Sequence, residues 1–316
     1  MPGVVLVVGS YNQDHVWTSD ELPAPGATRL GTYASGPGGK GFNQAVAASR
    51  AGARTGFLTA LGDDAAAGIA RSLAAEEDIE LLAEVHPALP SGTAGIFVDA
   101  AGRNVITVAP GANAALSPGY VRAARPAFAG ANVVLAQLEV APDAVHEALA
   151  LARETGATTV LNPAPANAPT TADLLALADI LTPNETEFAA LLARHAGQSV
   201  NPGTLARSDD DALHALCQLL QATTWVITLG GEGAFVSHAA PGRHGDTAAF
   251  YRVPAAPASV VDTTGAGDAF SGALAAALAG NDAGGFAEAV GFASRYAALS
   301  TETAGAALSM PRLRAH

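Results

Sequence analysis

Short apolar runs alternate with alanine-rich stretches of helical period along most of the chain. The runs Val4–Val8, Val133–Gln137, Thr159–Leu161, Ile180–Leu181 and Val226–Leu229 are too short for helices and rich in valine, isoleucine and leucine, which predicts buried strands. Between and after them the apolar spacing predicts helices at Asn43–Arg50, Asp64–Glu77, Asp143–Glu154, Glu185–His195, Asp209–Gln221, Gly267–Leu278 and Phe286–Ser300. Asp64, Asp143 and Asp209 stand where a helix N-terminus takes a capping or first-turn acid. Strand, helix, strand repeated in this way predicts an α/β fold with a mostly parallel central sheet flanked by helices on both faces.

Two stretches break the rhythm. Asp14–Ser35 carries Pro23, Pro25 and Gly26, and Thr93–Ala109 alternates around a turn at Ala100–Ala101–Gly102. Both read as hairpin-like excursions, with strands over about 14–36 and 93–109. Brought together they would form a small β-sheet lid over the carboxyl edge of the main sheet, where α/β proteins bind ligands. The polar segment Gly197–Asp211 is expected to be a surface loop.

At 316 residues the chain is expected to fold as one α/β domain over 1–316, with the lid as its accessory piece. Its 34 glycines and 19 prolines fall short of the quarter or more of the chain that marks low complexity. Acidic residues outnumber basic ones 29 to 16, a net charge of −13. That field opposes a polyanion, which argues against nucleic acid and anionic membrane surfaces as partners. A phosphorylated small molecule stays open, because backbone dipoles and a metal act locally. Cys217 is the only cysteine, so no intrachain disulfide can form, and a free thiol fits a cytoplasmic protein. Val4–Val8 lacks a preceding basic region and is too short for a signal core, and no later apolar run approaches the ~18 residues of a membrane span.

The most informative segment is Val261-Asp262-Thr263-Thr264-Gly265-Ala266-Gly267-Asp268-Ala269-Phe270, which runs into a small-residue helix. Gly265 and Gly267 let the backbone turn and approach a ligand closely, and free amides of a first helical turn point at an anion. Asp268 in the same turn can accept the proton of an attacking hydroxyl while the amides hold developing phosphoryl charge. An aspartate that only caps the helix fits the spacing equally well.

A second glycine segment, Gly36-Pro37-Gly38-Gly39-Lys40-Gly41-Phe42-Asn43-Gln44, formally satisfies the dinucleotide fingerprint with Asp63 and Asp64 about twenty residues on. The fingerprint belongs after the first strand, however, where Gly9-Ser10-Tyr11-Asn12-Gln13-Asp14 has no such pattern. Nor is it a P-loop, since Phe42 follows Gly41 where lysine should stand. Lys40 and Asn43 at a helix start suit sugar or anion binding. Asn12 and Asp14 can grip a vicinal diol or serve as turn formers. Pro183-Asn184-Glu185-Thr186-Glu187 places a carboxylate where metal-bound water could sit, or makes a capping arrangement. Thr228-Leu229-Gly230-Gly231-Glu232-Gly233 is either a hairpin corner or a flat surface for a nucleotide.

Taken in order, Gly9-Ser10-x-Asn12-x-Asp14-His15, Gly38-Gly39-Lys40-Gly41-x-Asn43-Gln44-Ala45, Asn162-Pro163-Ala164-Pro165-Ala166, Pro183-Asn184-Glu185-Thr186-Glu187 and Asp262-Thr263-Thr264-Gly265-Ala266-Gly267-Asp268 resemble the ribokinase-like carbohydrate kinases over nearly the whole chain. The resemblance implies that family's three-layer sandwich and an ATP-dependent kinase acting on a small sugar, D-ribose at its 5-hydroxyl. In that case Asp268 is the general base and the amides of Gly265, Ala266 and Gly267 form the anion hole. Asn12, Asp14, Gly39, Lys40, Gly41, Asn43 and Glu139 hold the sugar. Asn184, Thr228, Gly230, Gly231, Gly233, Gly267 and Ser294 line the ATP site. Glu187 organises Mg²⁺ through water, while Asp262, Thr264, Ser300, Thr303, Gly305 and Ser309 surround an activating K⁺. The same resemblance implies a homodimer joined through the lid.

The pattern departs at Phe42, where a small residue is expected, at Ser294, where a larger polar residue is common, and at Tyr11 and Gln13 beside the diol pair. These departures leave open another furanose-like acceptor, such as deoxyribose, fructose, a nucleoside or pseudouridine. A non-catalytic sugar or nucleotide sensor is the competing reading from a different class, and an intact Asp268 argues against it.

Overall fold

The structure is a computed structural model that describes residues 2–220, 223–280 and 284–313. Thirteen strands form two sheets among the described residues. These are β1 Val4–Val8, β2 Asn12–Ser19, β3 Thr32–Gly38, β4 Arg54–Leu61, β5 Ile79–Val85, β6 Gly92–Asp99, β7 Asn104–Ala109, β8 Val133–Ala136, β9 Thr158–Leu161, β10 Ile180–Leu181, β11 Thr224–Thr228, β12 Ala234–His238 and β13 Phe250–Val253. The large sheet runs β13-β12-β11-β10-β9-β8-β1-β4-β5. It is parallel from β11 to β5 and antiparallel where β12 and β13 are added.

Alternation along the strands divides the core into two layers. Val5, Val7, Val133 and Leu135 face the helices Lys40–Arg50, Ala266–Ala279 and Phe286–Ser300. Leu6, Val8, Val134 and Ala136 face Pro142–Thr155, Glu185–Ala196 and Asp210–Gln218. A strand buried on both faces must be apolar at every position, and β1 and β8 are therefore continuous hydrophobic runs. β4 and β5 escaped the sequence reading because Arg54, Thr55, Thr59, Glu80 and Glu84 interrupt that signature. β12 and β13 are short edge additions whose pairing depends on the hairpin.

Helix boundaries fall within a few residues of expectation. Asp64 caps by accepting from Ala67 N–H at 2.9 Å. Asp209 caps by accepting from Asp211 and Ala212, whereas Asp143 lies inside its first turn. Gln221, the expected end of the Asp209 helix, lies outside the described residues. The Gly197–Asp211 segment is not simply a loop: Pro202–Leu205 is a short helix capped by Asn201. The glycine-segment helix begins at Lys40, three residues before its expected start.

The two excursions do meet. β2–β3 and β6–β7 are antiparallel hairpins joined by a parallel β2–β6 pairing, in the order β3-β2-β6-β7. Asn12 and Asp14 thus lie on a strand, not in a turn, and the two-residue period puts both on one face. No helix among the described residues is long and apolar enough to cross a membrane.

Phe42 packs into the core and does not reshape the glycine segment around it. Its ring is 1% exposed and lies 5.4 Å from Tyr11 in edge geometry and 5.9 Å from Phe57, centroid to centroid. Phe42→Ala is expected to lower stability by about 3–5 kcal/mol, measured by urea unfolding, with the substrate preference of the folded fraction unchanged.

Candidate active site

The site lies where the parallel strands end. Gly9, Gln137, Asn162 and Thr182 are the first residues after β1, β8, β9 and β10. The register aligns the preceding residues Val8, Ala136, Leu161 and Leu181, so these four form one row across the sheet. Two helices start above the row. At the start of Lys40–Arg50, Gly39 takes φ 87°. A Cβ on Gly41 would lie 2.5 Å from Gly9 C and Ser10 N, so only glycine lets this helix approach the β1 turn. Ala266–Ala279 is entered through Gly265 in the left-handed region, φ 77°.

Asp268 sits in the first turn of that second helix and is buried. Its Oδ2 accepts from Asn43 Nδ2 at 2.8 Å and its Oδ1 from Gln44 Nε2 at 2.9 Å. Gln44 Nε2 also donates to Asn162 Oδ1 at 3.0 Å, Gln137 Nε2 donates to Gln44 Oε1 at 2.6 Å, and Asn162 Nδ2 donates to the Thr182 carbonyl at 2.8 Å. Burial pushes the Asp268 carboxyl above the usual carboxylate range, against the pull of Lys40, Asn43 and Gln44, and Glu139 adds to the rise. Asn43 Oδ1 is buried with no hydrogen-bond partner among the described residues. The capping role open in the sequence is not what Asp268 does, since its carboxylate is held by side-chain amides and the helix has no side-chain cap.

At the expected anion hole, Ala266 N–H is directed to the Thr263 carbonyl at 3.2 Å. The N–H groups of Gly265, Gly267 and Asp268 have no intrachain acceptor among the described residues, so they remain available to an anion.

The residues expected to hold the sugar converge from three elements. Glu139 Oε2 accepts from Ser10 Oγ at 2.6 Å and from Lys40 N at 3.0 Å, tying the turn after β1 to the helix start. Burial raises Asp14 to about 7, helped by the Glu139 and Asp268 carboxylates. Lys40 is the only lysine in the chain. Burial alone would lower its pKa, but Asp268, Glu139 and Glu187 outweigh it and hold the ammonium above its ordinary value. Asn113, absent from the sequence reading, fixes Asn12. It accepts from Tyr11 N–H at 3.1 Å and donates to the Tyr11 carbonyl at 2.9 Å and to Asn12 Oδ1 at 3.0 Å. Because the backbone sets the Asn113 amide, Asn12 is left to present its Nδ2 donor. A lone asparagine after β7 carries no local signal of that role. Tyr11 Oη donates to Gln13 Oε1, and Gln13 Nε2 donates to the Gly36 carbonyl, bracing β2 against β3.

Beside Asp268, a cavity of about 140 Å³ is lined by Lys40, Asn162, Thr182, Glu187 and Gly265–Asp268. It shares Asn184, Thr228, Thr263, Ala266 and Gly267 with a pocket of about 450 Å³. That larger pocket contains every expected nucleotide residue, namely Asn184, Thr228, Gly230, Gly231, Gly233, Gly267 and Ser294. It also contains Ala255, Ala256, Val260, Phe270 and Ala297, small or apolar residues that no motif could flag. Gly230–Glu232 is a helical turn closing the β11–β12 hairpin, so the glycine cluster is both hairpin corner and pocket wall. Asn184 and Glu187 form a reciprocal capping box, each side chain bonding the other's N–H at 2.9 Å. Burial raises Glu187, against the pull of the Asn184 N–H and Lys40. Structural and ligand-facing readings of Glu187 therefore coexist.

The expected cation residues gather in part. Asp262 accepts from Thr264 N, Thr264 Oγ1 and Gly305 N at 2.7–2.9 Å, and Ser309 Oγ donates to the Gly305 carbonyl at 2.9 Å. Ser300 Oγ is spent on the Ala297 carbonyl, and Thr303 lies in the exposed turn between Thr301 and Gly305. No cluster of three or more His, Cys, Asp or Glu suited to a metal occurs among the described residues.

Residues 4–313 match the model of the pfkB family carbohydrate kinases. A ribokinase from Haemophilus influenzae is 34% identical over 98% of this chain and 96% of its own length. A bifunctional ribokinase/ribose-5-phosphate isomerase A from Fructilactobacillus sanfranciscensis is 38% identical over 97% of the chain, which spans only 54% of that protein. A deoxyribokinase from Salmonella typhi is 32% identical over 86% of the chain and 84% of its own length. The solved structure of Arabidopsis thaliana ribokinase complexed with ribose and ATP superposes with a TM-score of 0.82 at 27% identity, covering 98% of this chain and 96% of that one. The buried aspartate at a glycine-rich helix start, the adjoining pocket and the full-length match agree: the chain belongs to the pfkB family of carbohydrate kinases.

Proposed function

We propose that this kinase transfers the γ-phosphoryl group of ATP to the 5-hydroxyl of D-ribose, with Asp268 as general base. The observation that carries the reading is the continuity of the site. Asp268 and the free amide of Gly265 line a small polar cavity, and Gly267, whose amide is also free, lies where that cavity joins a nucleotide-sized pocket. A pocket of this volume with mainly apolar walls suits a nucleoside. The amides and the helix N-terminus meet the transferring phosphoryl group, and Lys40 supplies the local positive charge.

On the sugar side, Asn12 offers a donor and Asp14 an acceptor from one strand face, a pairing suited to adjacent hydroxyls. Asn43 Oδ1, which is buried without a protein partner, gains one from a sugar hydroxyl. Asp268 then takes the proton as the oxygen attacks phosphorus.

Mg²⁺ fits the site: a hard cation that keeps most of its waters needs only one or two carboxylates, and Glu187 supplies one. When bound it neutralises charge on the phosphate oxygens. Of the set expected for K⁺, Asp262, Thr264, Gly305 and Ser309 gather and offer oxygen donors alone, which suits K⁺; bound there it would fix the loop that leads into the anion hole.

The small sheet acts as the lid and as a homodimer surface. One register row of its face carries Tyr33, Trp17, Phe97 and Val105, each 39–56% exposed, an apolar patch that a second copy would cover. The buried free thiol of Cys217 supports a cytoplasmic setting.

An ADP-release assay with Mg²⁺, K⁺ and ATP is expected to show kcat/KM for ribose above that for deoxyribose, fructose, adenosine and pseudouridine, and to slow when K⁺ is exchanged for a bulky organic cation. Preference for deoxyribose, the activity named for one relative, would reassign the acceptor, and no turnover would restore the sensor reading. In the same assay Asp268→Asn should lose at least ~10²-fold in kcat with nucleotide binding retained; near-normal turnover would refute the base. A single band at monomer mass in sedimentation would exclude the dimer.

Asp14 gives a pH prediction. Its folded pKa of about 7 lies above the unfolded carboxylate value, so the folded state binds the extra proton between those limits and stability falls as pH rises through that window. Asp14→Asn should therefore melt higher than the wild type at pH 8, with the difference vanishing near pH 4, while its KM for the sugar rises. Equal melting temperatures at both pH values would sink the argument.

A further inference from the structure

We propose that Gln44 is a positioning residue for phosphoryl transfer: oriented by Asn162 and Gln137, its amide holds the Asp268 carboxylate so that a lone pair is left to face the acceptor hydroxyl. The proposal rests on the reading of Asp268 as the base. Its warrant is the polarity of the amide chain. A backbone carbonyl can only accept, so the Thr182 carbonyl requires Asn162 to donate through Nδ2 and to turn Oδ1 toward Gln44. Gln44 must then donate through Nε2, whose two protons go to Asn162 Oδ1 and Asp268 Oδ1. Its Oε1 is left to accept, and Gln137 Nε2 supplies the proton at 2.6 Å. Gln44 and Gln137 are fully buried, so no water competes for these orientations. Neither glutamine can be flipped without setting acceptor against acceptor.

The consequence falls on the base. With Gln44 donating to Oδ1 and Asn43 to Oδ2, a proton on Asp268 in either of those directions would meet an N–H. Both bonds pull toward the ionised form against the larger effect of burial, and the proton arriving during the reaction is confined to the side facing the cavity. The charged groups around Asp268 are Lys40 from the first turn of the Lys40–Arg50 helix, Glu139 from the loop after β8, Asp14 from β2 and Glu187 from the Glu185–Ala196 helix. The three carboxylates other than Asp268 oppose its ionisation and Lys40 supports it, so the neutral amides offset burial without adding charge to the site.

The test is a pH profile of kcat/KM for ribose, from about pH 5 to 9, in Gln44→Met, Gln137→Leu and Asp268→Asn. Methionine keeps the length of Gln44 and removes the donor. A hydrogen bond to a charged group corresponds to about one pH unit or more. Gln44→Met should therefore move the acid limb up by about one unit, lose about tenfold along that limb and recover at alkaline pH, with its nucleotide KM unchanged. Gln137→Leu, which lines neither cavity, should move the limb the same way by a smaller amount. A uniform loss at every pH with an unmoved limb would overturn the positioning role and leave Asp268 as base, provided Asp268→Asn is inactive. Turnover in Asp268→Asn would instead overturn the base reading itself. If Gln44→Met melts well below the wild type, Gln137→Leu decides: a shifted limb supports the relay and a wild-type profile refutes it.

Discussion

A carboxylate taken out of water has to be repaid with hydrogen bonds or an opposite charge, and the carboxyl end of this sheet is organised around that requirement at Asp268. Burial raises its pKa, and Lys40, Asn43 and Gln44 oppose the rise. Those three residues come from one helix start, and that helix reaches the sheet because Gly41 permits contact with the turn after β1. The strand ends supply the rest through Gln137, Asn162 and Thr182. Removing any one of these would leave a buried polar group unpaired, which costs more than the hydrogen bond is worth when made.

The two sides of the site solve different problems. The larger pocket is walled by small and apolar residues that give shape at little conformational cost, whereas the region around Lys40 is crowded with charge. Asp14, Glu139, Glu187 and Asp268 surround the single lysine of a chain whose net charge is −13. The one ammonium there offsets part of that carboxylate charge, and the carboxylates in turn hold it protonated. Asp14 is the strained member of this set. An acid raised to about 7 reduces stability at neutral pH, the usual cost of a site shaped for a ligand.

The small sheet joins residues beside the site to an exposed aromatic row. Its β2 carries Asn12 and Asp14 at one end and the exposed Trp17 further along. The parallel β2–β6 pairing makes the two hairpins one unit, so they cannot move independently.

How much was legible follows from what each signal depends on. The central strands Val4–Val8 and Ile180–Leu181 and the helix Phe286–Ser300 were readable because burial on both faces, or on a helical stripe, imposes local periodicity. The glycine-rich helix starts and Asp268 were readable because close backbone approach demands glycine whatever lies nearby. β4 and β5 were hidden by polar interruptions. The Phe42 ring took a core position that no local pattern in its glycine segment foretells. Asn113 and Gln137 were invisible because an amide's role depends on partners about a hundred residues away in sequence. Sequence alone therefore determined the α/β grammar and the residue types able to carry the chemistry, since both are set by local sterics and the pattern of burial. Only the tertiary structure decided which amides face which oxygens, because the direction of a hydrogen bond is fixed by the register that aligns Gly9, Gln137, Asn162 and Thr182 across four separate strands.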